Sequence, residues 1–369
     1  MSIPSGMKSM KSRFIFLTVL FLLGPTATLA QEPIQARPVD ARVITITLVE
    51  QDRGLWRYVF EASGDDGQSY MVDTTDSYTS GIGYDLRVGD SVILQVIDEQ
   101  TGPHAYLADI HRERGLLVAL LVFMGITIAV GLRRGILSLV GLAVTVGILL
   151  FFLLPALLEG RWDPLLATIL ASVVILGVNM HLSHGWRRQT TLAFLGTLAG
   201  LALTVVFTFF FLRLARLSGL ASEEATLLFW ELNGLQVPVG ILASGIILGA
   251  VGVLDDIAIT QTEVVHELLI ADPSMTCRAL FKKAMRVGRH HIASTVNTLV
   301  LVYAGAALPV FLLFLQSALS PLSFINNELV AEELVRTLAG TSALVLAVPI
   351  CTWFATFPHR VIDRDSGVR

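Results

Sequence analysis

The stretch LQVPVGILASGIILGAVGVLDDIAIT (235–260) is apolar over a membrane's width until it meets two adjacent carboxylates, Asp255 and Asp256. On a helix, Gly245, Gly249, Gly252 and Asp256 stand at i, i+4, i+7 and i+11 and share one face. A glycine stripe admits a neighbouring helix closely, and here it would carry Asp256 into that contact rather than into lipid. An acid at membrane depth is costly, so Asp256 is expected to face a bundle interior or a wet cavity. The same face continues through Thr260, Glu263 and Glu267. That order suits a cation or proton path opening at one end of the helix. Asp255 points about 100° away from Asp256, so the two carboxylates are expected to do different jobs. The alternative is an Asp pair near an interface, solvated or capping a helix.

Composition sets the class. The 369 residues are 54% hydrophobic and 15% charged, whereas a soluble domain carries roughly a quarter charged residues. The deficit is concentrated after residue 114, where apolar runs of membrane length recur. The sequence reads as a polytopic α-helical membrane protein. No basic, aromatic-interleaved surface supports nucleic-acid binding. Cys277 and Cys351 fall in regions expected on the cytoplasmic side or within the membrane, where no structural disulfide is expected, and neither has a second cysteine nearby to support a thiol-ligated metal.

Residues 1–30 have the form of a signal peptide: a basic start at Lys8, Lys11 and Arg13, an apolar core, and Thr28-Leu29-Ala30 as a cleavage site. An uncleaved anchor is the alternative, and either leaves Gln31 onward outside. Residues 31–112 are polar, with β-branched or aromatic runs at 41–49, 55–62, 68–74, 91–98 and 105–111 separated by turn clusters such as 63–67 and 88–90. Five short strands predict a small all-β domain, an OB-like barrel among the possibilities, which either binds a ligand or partner or braces its neighbour.

Seven spans are expected over 113–357, at 115–131, 136–156, 164–182, 191–212, 236–256, 292–314 and 337–357, with a tail over 358–369. Alternate loops carry twelve Lys and Arg residues (Arg133, Arg134, Arg187, Arg188, the cluster Arg278 to Arg289, then Arg360, Arg364 and Arg369) against four in the others (Arg161, Arg213, Arg216 and Arg336). The positive-inside rule then puts the β domain outside and the C-terminus in the cytoplasm. Ser222–Leu232 outside and residues 274–290 inside read as interfacial helices on membrane lipids.

The sixth span offers a partner for the acid. Ser294, Asn297, Ala304 and Gly305 share a face, with Thr298 beside them. Asn297 in a bilayer needs a hydrogen-bond partner; it either supports Asp256 or joins two helices. Close packing is expected of Gly245, Gly249 and Gly252 against Ala304 and Gly305. His181, His184, His266, His290 and His291, with nearby carboxylates, could ligate a transition metal, but the patterns are short and a metal site is not the preferred reading. Two aspartates on one helix cannot face each other as an aspartyl protease requires, and no nucleotide loop or Ser/His/Asp arrangement is present in the sequence. Neither an enzyme nor a cofactor is expected.

ASGIILGAVGVLDDIAIT (243–260) followed by STVNTLVLVYAGAALPVFLLF (294–314) resembles the YibE/F-like family of bacterial membrane proteins, and the upstream DLRVGDSVILQV (85–96) and YLADIHRERGLLVAL (106–120) resemble its outer region. The resemblance implies that Asp256 is the family's acid and Asn297 its asparagine, with Tyr303, Ala304 and Gly305 as its Tyr-Ala-Gly; Asp255 stands where the family usually has Met. The expected protein sits in the bacterial plasma membrane. It is either a secondary transporter moving a solute or ion by way of Asp256, Asn297, Asp255, Thr260 and Glu263, or a scaffold that assembles with a second copy or an outer protein partner.

Overall fold

The computed structural model describes residues 36–52, 55–74, 85–99, 102–232, 238–316 and 320–365. The expected signal peptide lies outside them. Two compact units divide between Ile126 and Thr127.

The first unit holds five antiparallel strands on the five expected runs: β1 Ala36–Asp52, β2 Leu55–Gly64, β3 Ser69–Asp73, β4 Ser91–Glu99 and β5 Gly102–Ile110. Their order is β3-β2-β1-β4-β5. β1 is long because it serves two neighbours: Ala36 to Arg42 pair with β4, and Ala41 to Asp52 pair with β2. Irregularities between Val43 and Thr45 and between Ile46 and Leu48 bend it, and the sheet curls until β3 lies beside β5. The all-β expectation holds as a five-stranded half-barrel. Alternate residues enclose its core, among them Val39, Val43, Phe60, Val72, Val92 and Leu94. Gly67 and Gly89 take positive φ, 79° and 96°, in the two turn clusters, where a side chain would be strained.

Nine helical elements follow among the described residues. They are α1 Glu113–Leu158, α2 Pro164–His184, α3 Arg188–Ala215, α4 Glu223–Glu231, α5 Pro238–Ala271, α6 Cys277–Ala306, α7 Leu308–Gln316, α8 Pro321–Asn326 and α9 Glu328–Asp365. Five are long and apolar enough to cross a membrane, or six when α6 and α7, bent by 62°, count as one broken span. The bend follows Ala307, where Pro309 can neither donate to nor fit beneath the preceding turn.

The expected first and second spans are joined in α1, whose 46 residues would reach about 69 Å if straight, twice a hydrocarbon core. They are not straight. Leu132 has φ 48° and ψ −129°, outside helical space. A Cβ on Gly135 would lie 2.2 Å from the Thr127 carbonyl oxygen, though eight residues of continuous helix would separate them by about 12 Å. The chain therefore folds sharply at Leu132, between the two expected spans. Of residues 274–290, expected as an interfacial helix distinct from the sixth span, Cys277 onward runs without a break into that span as one helix, Cys277–Ala306. The short helix at Ser222–Leu232 is present, with Ser222 Oγ accepting from Ala225 N–H as N-cap.

In the second unit α5 and α9 are the most enclosed spans. α5 packs against α2, α3, α6 and α9, and α9 packs against α3, α5 and α6. Ile175, Leu176, Leu201, Ile247, Val251, Leu254 and Ala347 form the central cluster. Glycines that bring helices together lie on α1, α3, α5 and α6, and the tightest contacts to α9 are those of α3 and α6. A Cβ on Gly196 would meet Cys351 Sγ at 2.7 Å and its Cα at 3.2 Å, and one on Gly200 would meet Leu254 at 2.9 Å and Ala347 at 3.3 Å.

Candidate functional site

The glycine stripe of α5 does not face the bundle. A Cβ on Gly245 or Gly252 would meet nothing within 4 Å, nor would one on Gly305 of α6. Only Gly249 touches α6, through the Tyr303 hydroxyl at 3.0 Å from the Cβ position. The expected seam of Gly245, Gly249 and Gly252 against Ala304 and Gly305 is thus corrected to one contact. Asp256 goes with the stripe: its side chain is 70% exposed, with His291 Nε2 3.9 Å away. Glu263 and Glu267 continue the open face as expected, with Thr260 partly covered. Asn297 is exposed too, with Ser294 and Thr298. The expectation of a buried Asp256 supported by a buried Asn297 is therefore corrected. The physical reason is that α5 is apolar nearly all round, so large residues such as Ile246, Ile247, Leu254 and Ile257 claim the interior and leave the glycines outside.

Asp255 is turned the other way. It is partly buried, and its Oδ1 is closed to solvent with no hydrogen-bond partner. Two turns before it Leu248 packs on clusters that include Ala171 and Ile175 of α2, and one turn after it Ile259 packs on a cluster of Met180 of α2, Ala193 of α3 and Cys351 of α9. On α2, Asn179 Nδ2 donates to Thr145 Oγ1 of α1 at 2.9 Å, and Asn179 Oδ1 is likewise buried and unpartnered. Gly141 gives the amide room, since a Cβ there would lie 2.9 Å from that oxygen. At the end of α2, His184 lies within electrostatic range of Glu263 and Arg134. Gln189 Nε2 donates to His266 Nδ1 at 2.7 Å, and His181 Nδ1 meets the Gly177 carbonyl at 2.8 Å. Among the described residues no three of His, Cys, Asp and Glu converge as a metal site.

A second polar point joins α5, α6 and α9. Gln261 and Thr352 are both fully buried, 3.0 Å apart through Gln261 Oε1 and Thr352 Oγ1. The threonine hydroxyl has one proton and gives it to the Val348 carbonyl at 2.7 Å. The amide therefore orients to donate Nε2–H to Thr352 Oγ1. Gly288 makes the space, since a Cβ there would lie 2.9 Å from the amide. The sequence reading passed over Asn179, Thr145 and Gln261. Gln261 carried a signal: it stands seven residues from Leu254 and fourteen from Ile247, the spacing of one buried face.

In the outer unit a cleft of about 520 Å³ opens at the end of the half-barrel where β5 passes into α1. The His111 ring bridges Asp40, 3.3 Å from Nε2, and Glu113, 2.5 Å from Nδ1.

A half-barrel followed by long apolar helices that carry a few enclosed polar groups suggests a membrane-embedded protein. A family model described as YibE/F-like protein matches residues 119–360. The chain belongs to that family. No curated protein and no solved structure matches it.

Proposed function

We propose that this is a seven-span permease of the bacterial plasma membrane, with the β domain outside and the C-terminus in the cytoplasm, which moves a small cation or a proton-coupled solute. The span count takes α1 as two spans folded at Leu132 and α6 with α7 as one. The orientation rests on the twelve-to-four distribution of Lys and Arg between alternate loops. One observation carries the activity: Asp255 Oδ1 is enclosed on an apolar helix without a donor. An acceptor in a low-dielectric interior is answered by a proton or a cation, and a carboxylate kept there at a cost marks an ion path. Asn179 Oδ1, a second acceptor without a donor, lies on the neighbouring α2. In this reading the coupling group is Asp255, and Asp256, Thr260 and Glu263 form the exposed approach.

The test is untargeted uptake and efflux profiling of a deletion strain carrying wild type, Asp255→Asn or Asp256→Asn, with insertion checked by membrane fractionation. Asp255→Asn is expected to abolish the transport phenotype and Asp256→Asn to weaken it. A wild-type profile from an inserted Asp255→Asn protein overturns the reading.

The open stripe favours a second reading. Gly245, Gly252 and Asp256 on the uncovered face of α5, with Asn297 exposed on α6, suit a scaffold that binds another copy of the chain. Gly252→Leu would then dissolve a dimer seen in cross-linking, while a monomeric wild type would remove this alternative.

A further inference from the structure

We infer that the cleft at the base of the half-barrel binds a phosphoethanolamine-type zwitterion, presented as the headgroup of an outer-leaflet phospholipid. The walls are fixed by backbone hydrogen bonds. Asp65 N–H donates to the Asp40 carbonyl, Gly89 N–H to Val43, Val43 N–H to Asp90, and His111 N–H to Ser91. A cleft of about 520 Å³ falls within the usual range for small-ligand sites, and its preset walls limit the ordering that binding would cost.

Its charges are of both signs and only partly used. Asp40 and Glu113 are engaged with His111. Arg42 spends Nε on the Gly89 carbonyl at 3.0 Å, which leaves its terminal nitrogens. Arg114 and Asp65 make no ion pair among the described residues, and Asp90 lends one oxygen to Arg87 N–H. Two guanidinium groups therefore remain for a phosphate, and two carboxylates remain to accept N–H bonds from a primary ammonium. The excess of carboxylates over guanidinium groups disfavours a purely anionic ligand. A quaternary ammonium offers no N–H donor, and no Phe, Tyr or Trp among the described residues lines the cleft to hold one.

The lipid source follows from what adjoins the cleft within the same unit. Glu113 and Arg114, which line it, begin α1, and Leu116, Leu117, Leu120 and Leu121 come next, each at least 49% exposed. A headgroup in the cleft would lay its acyl chains along those leucines. This step rests on the proposal that α1 enters the membrane there.

The experiment is native mass spectrometry of the full chain in nanodiscs of mixed phosphatidylethanolamine, phosphatidylcholine and phosphatidylglycerol, for wild type, Arg114→Ala and Asp65→Asn. The expected result is preferential retention of the ethanolamine lipid by about tenfold, or about 1.4 kcal/mol. Either substitution should remove the preference, and Arg114→Lys should restore part of it. Free phosphoethanolamine should compete only at much higher concentration. Competition as strong as that of the lipid overturns the lipid source and leaves a soluble zwitterion. Equal retention of all three lipids, or a preference unchanged in both variants, overturns the site. A chain that fails to enter nanodiscs at all refutes the membrane reading instead.

Discussion

Gly196→Ala tests which glycines hold the helices together. The new methyl would stand 2.7 Å from Cys351 Sγ and 3.2 Å from Cys351 Cα. The sulfur can move a little, but the Cα moves only with α9. Overpacking of this kind costs about 1–3 kcal/mol, and the better helix former returns about 0.5–1 kcal/mol. The net loss is therefore about 0–2.5 kcal/mol. Gly245→Ala, where the methyl meets nothing within 4 Å, keeps only the gain of about 0.5–1 kcal/mol. Reversible unfolding of the full chain in mixed micelles, followed by circular dichroism, should separate the two variants by about 1–3 kcal/mol. Cys351→Ala should recover part of the Gly196→Ala loss, as a double-mutant cycle would register. If Gly245→Ala is the damaging change and Gly196→Ala is silent, the packing described for α3 and α9 is wrong, and the stripe on α5 faces a neighbour after all.

Thr352→Val should cost about 1–3 kcal/mol by leaving the Gln261 amide without its partner, and Gln261→Leu on top of it should recover much of that loss in the same unfolding assay. Tyr58→Phe removes the acceptor of Leu86 N–H, bonded at 3.0 Å, so the Leu86 amide should exchange markedly faster with deuterium; unchanged protection would refute the bond. Asp66 is held below the usual carboxylate range, chiefly by the Tyr70 hydroxyl and then by Gln68 N–H. A carboxyl lowered on folding adds stability above its unfolded value, and that contribution fades as pH falls through its folded value. Tyr70→Phe should therefore move the Asp66 titration upward in an NMR pH series, towards the ordinary value, and an unmoved titration would refute that role.

The outer strands were legible because a half-buried sheet imposes a period of two, and Val39, Ala41 and Val43 keep it. The apolar spans were legible from length alone. Their facing was not. A helix apolar on every side carries no moment to orient it, and Gly245, Gly249 and Gly252 read the same whether or not a neighbour fills the space they leave. Asp255 and Asp256 differ by one residue, so the error in facing exchanged their roles. Residues 274–290 were hard to bound for another reason: alternating basic and apolar residues describe a short interfacial helix and the polar end of a longer helix equally well, and Cys277–Ala306 is unbroken. The pairing of Asn179 with Thr145 joins positions 34 apart, and no local pattern announces such a contact.

The threonines of α3 bear on how the bundle could move. Thr197 Oγ1 meets the Ala193 carbonyl and also Met180 Sδ of α2, and Thr204 gives its proton to the Gly200 carbonyl, so neither buried hydroxyl bonds to α9. Sliding α3 lengthwise against α9 would leave both carbonyl bonds intact, opposed mainly by the nesting of Gly196 and Gly200. The permease proposed above would need such a seam to shift, and there the fit of side chains around Gly196 and Gly200, more than buried polar bonds to α9, would set where it rests.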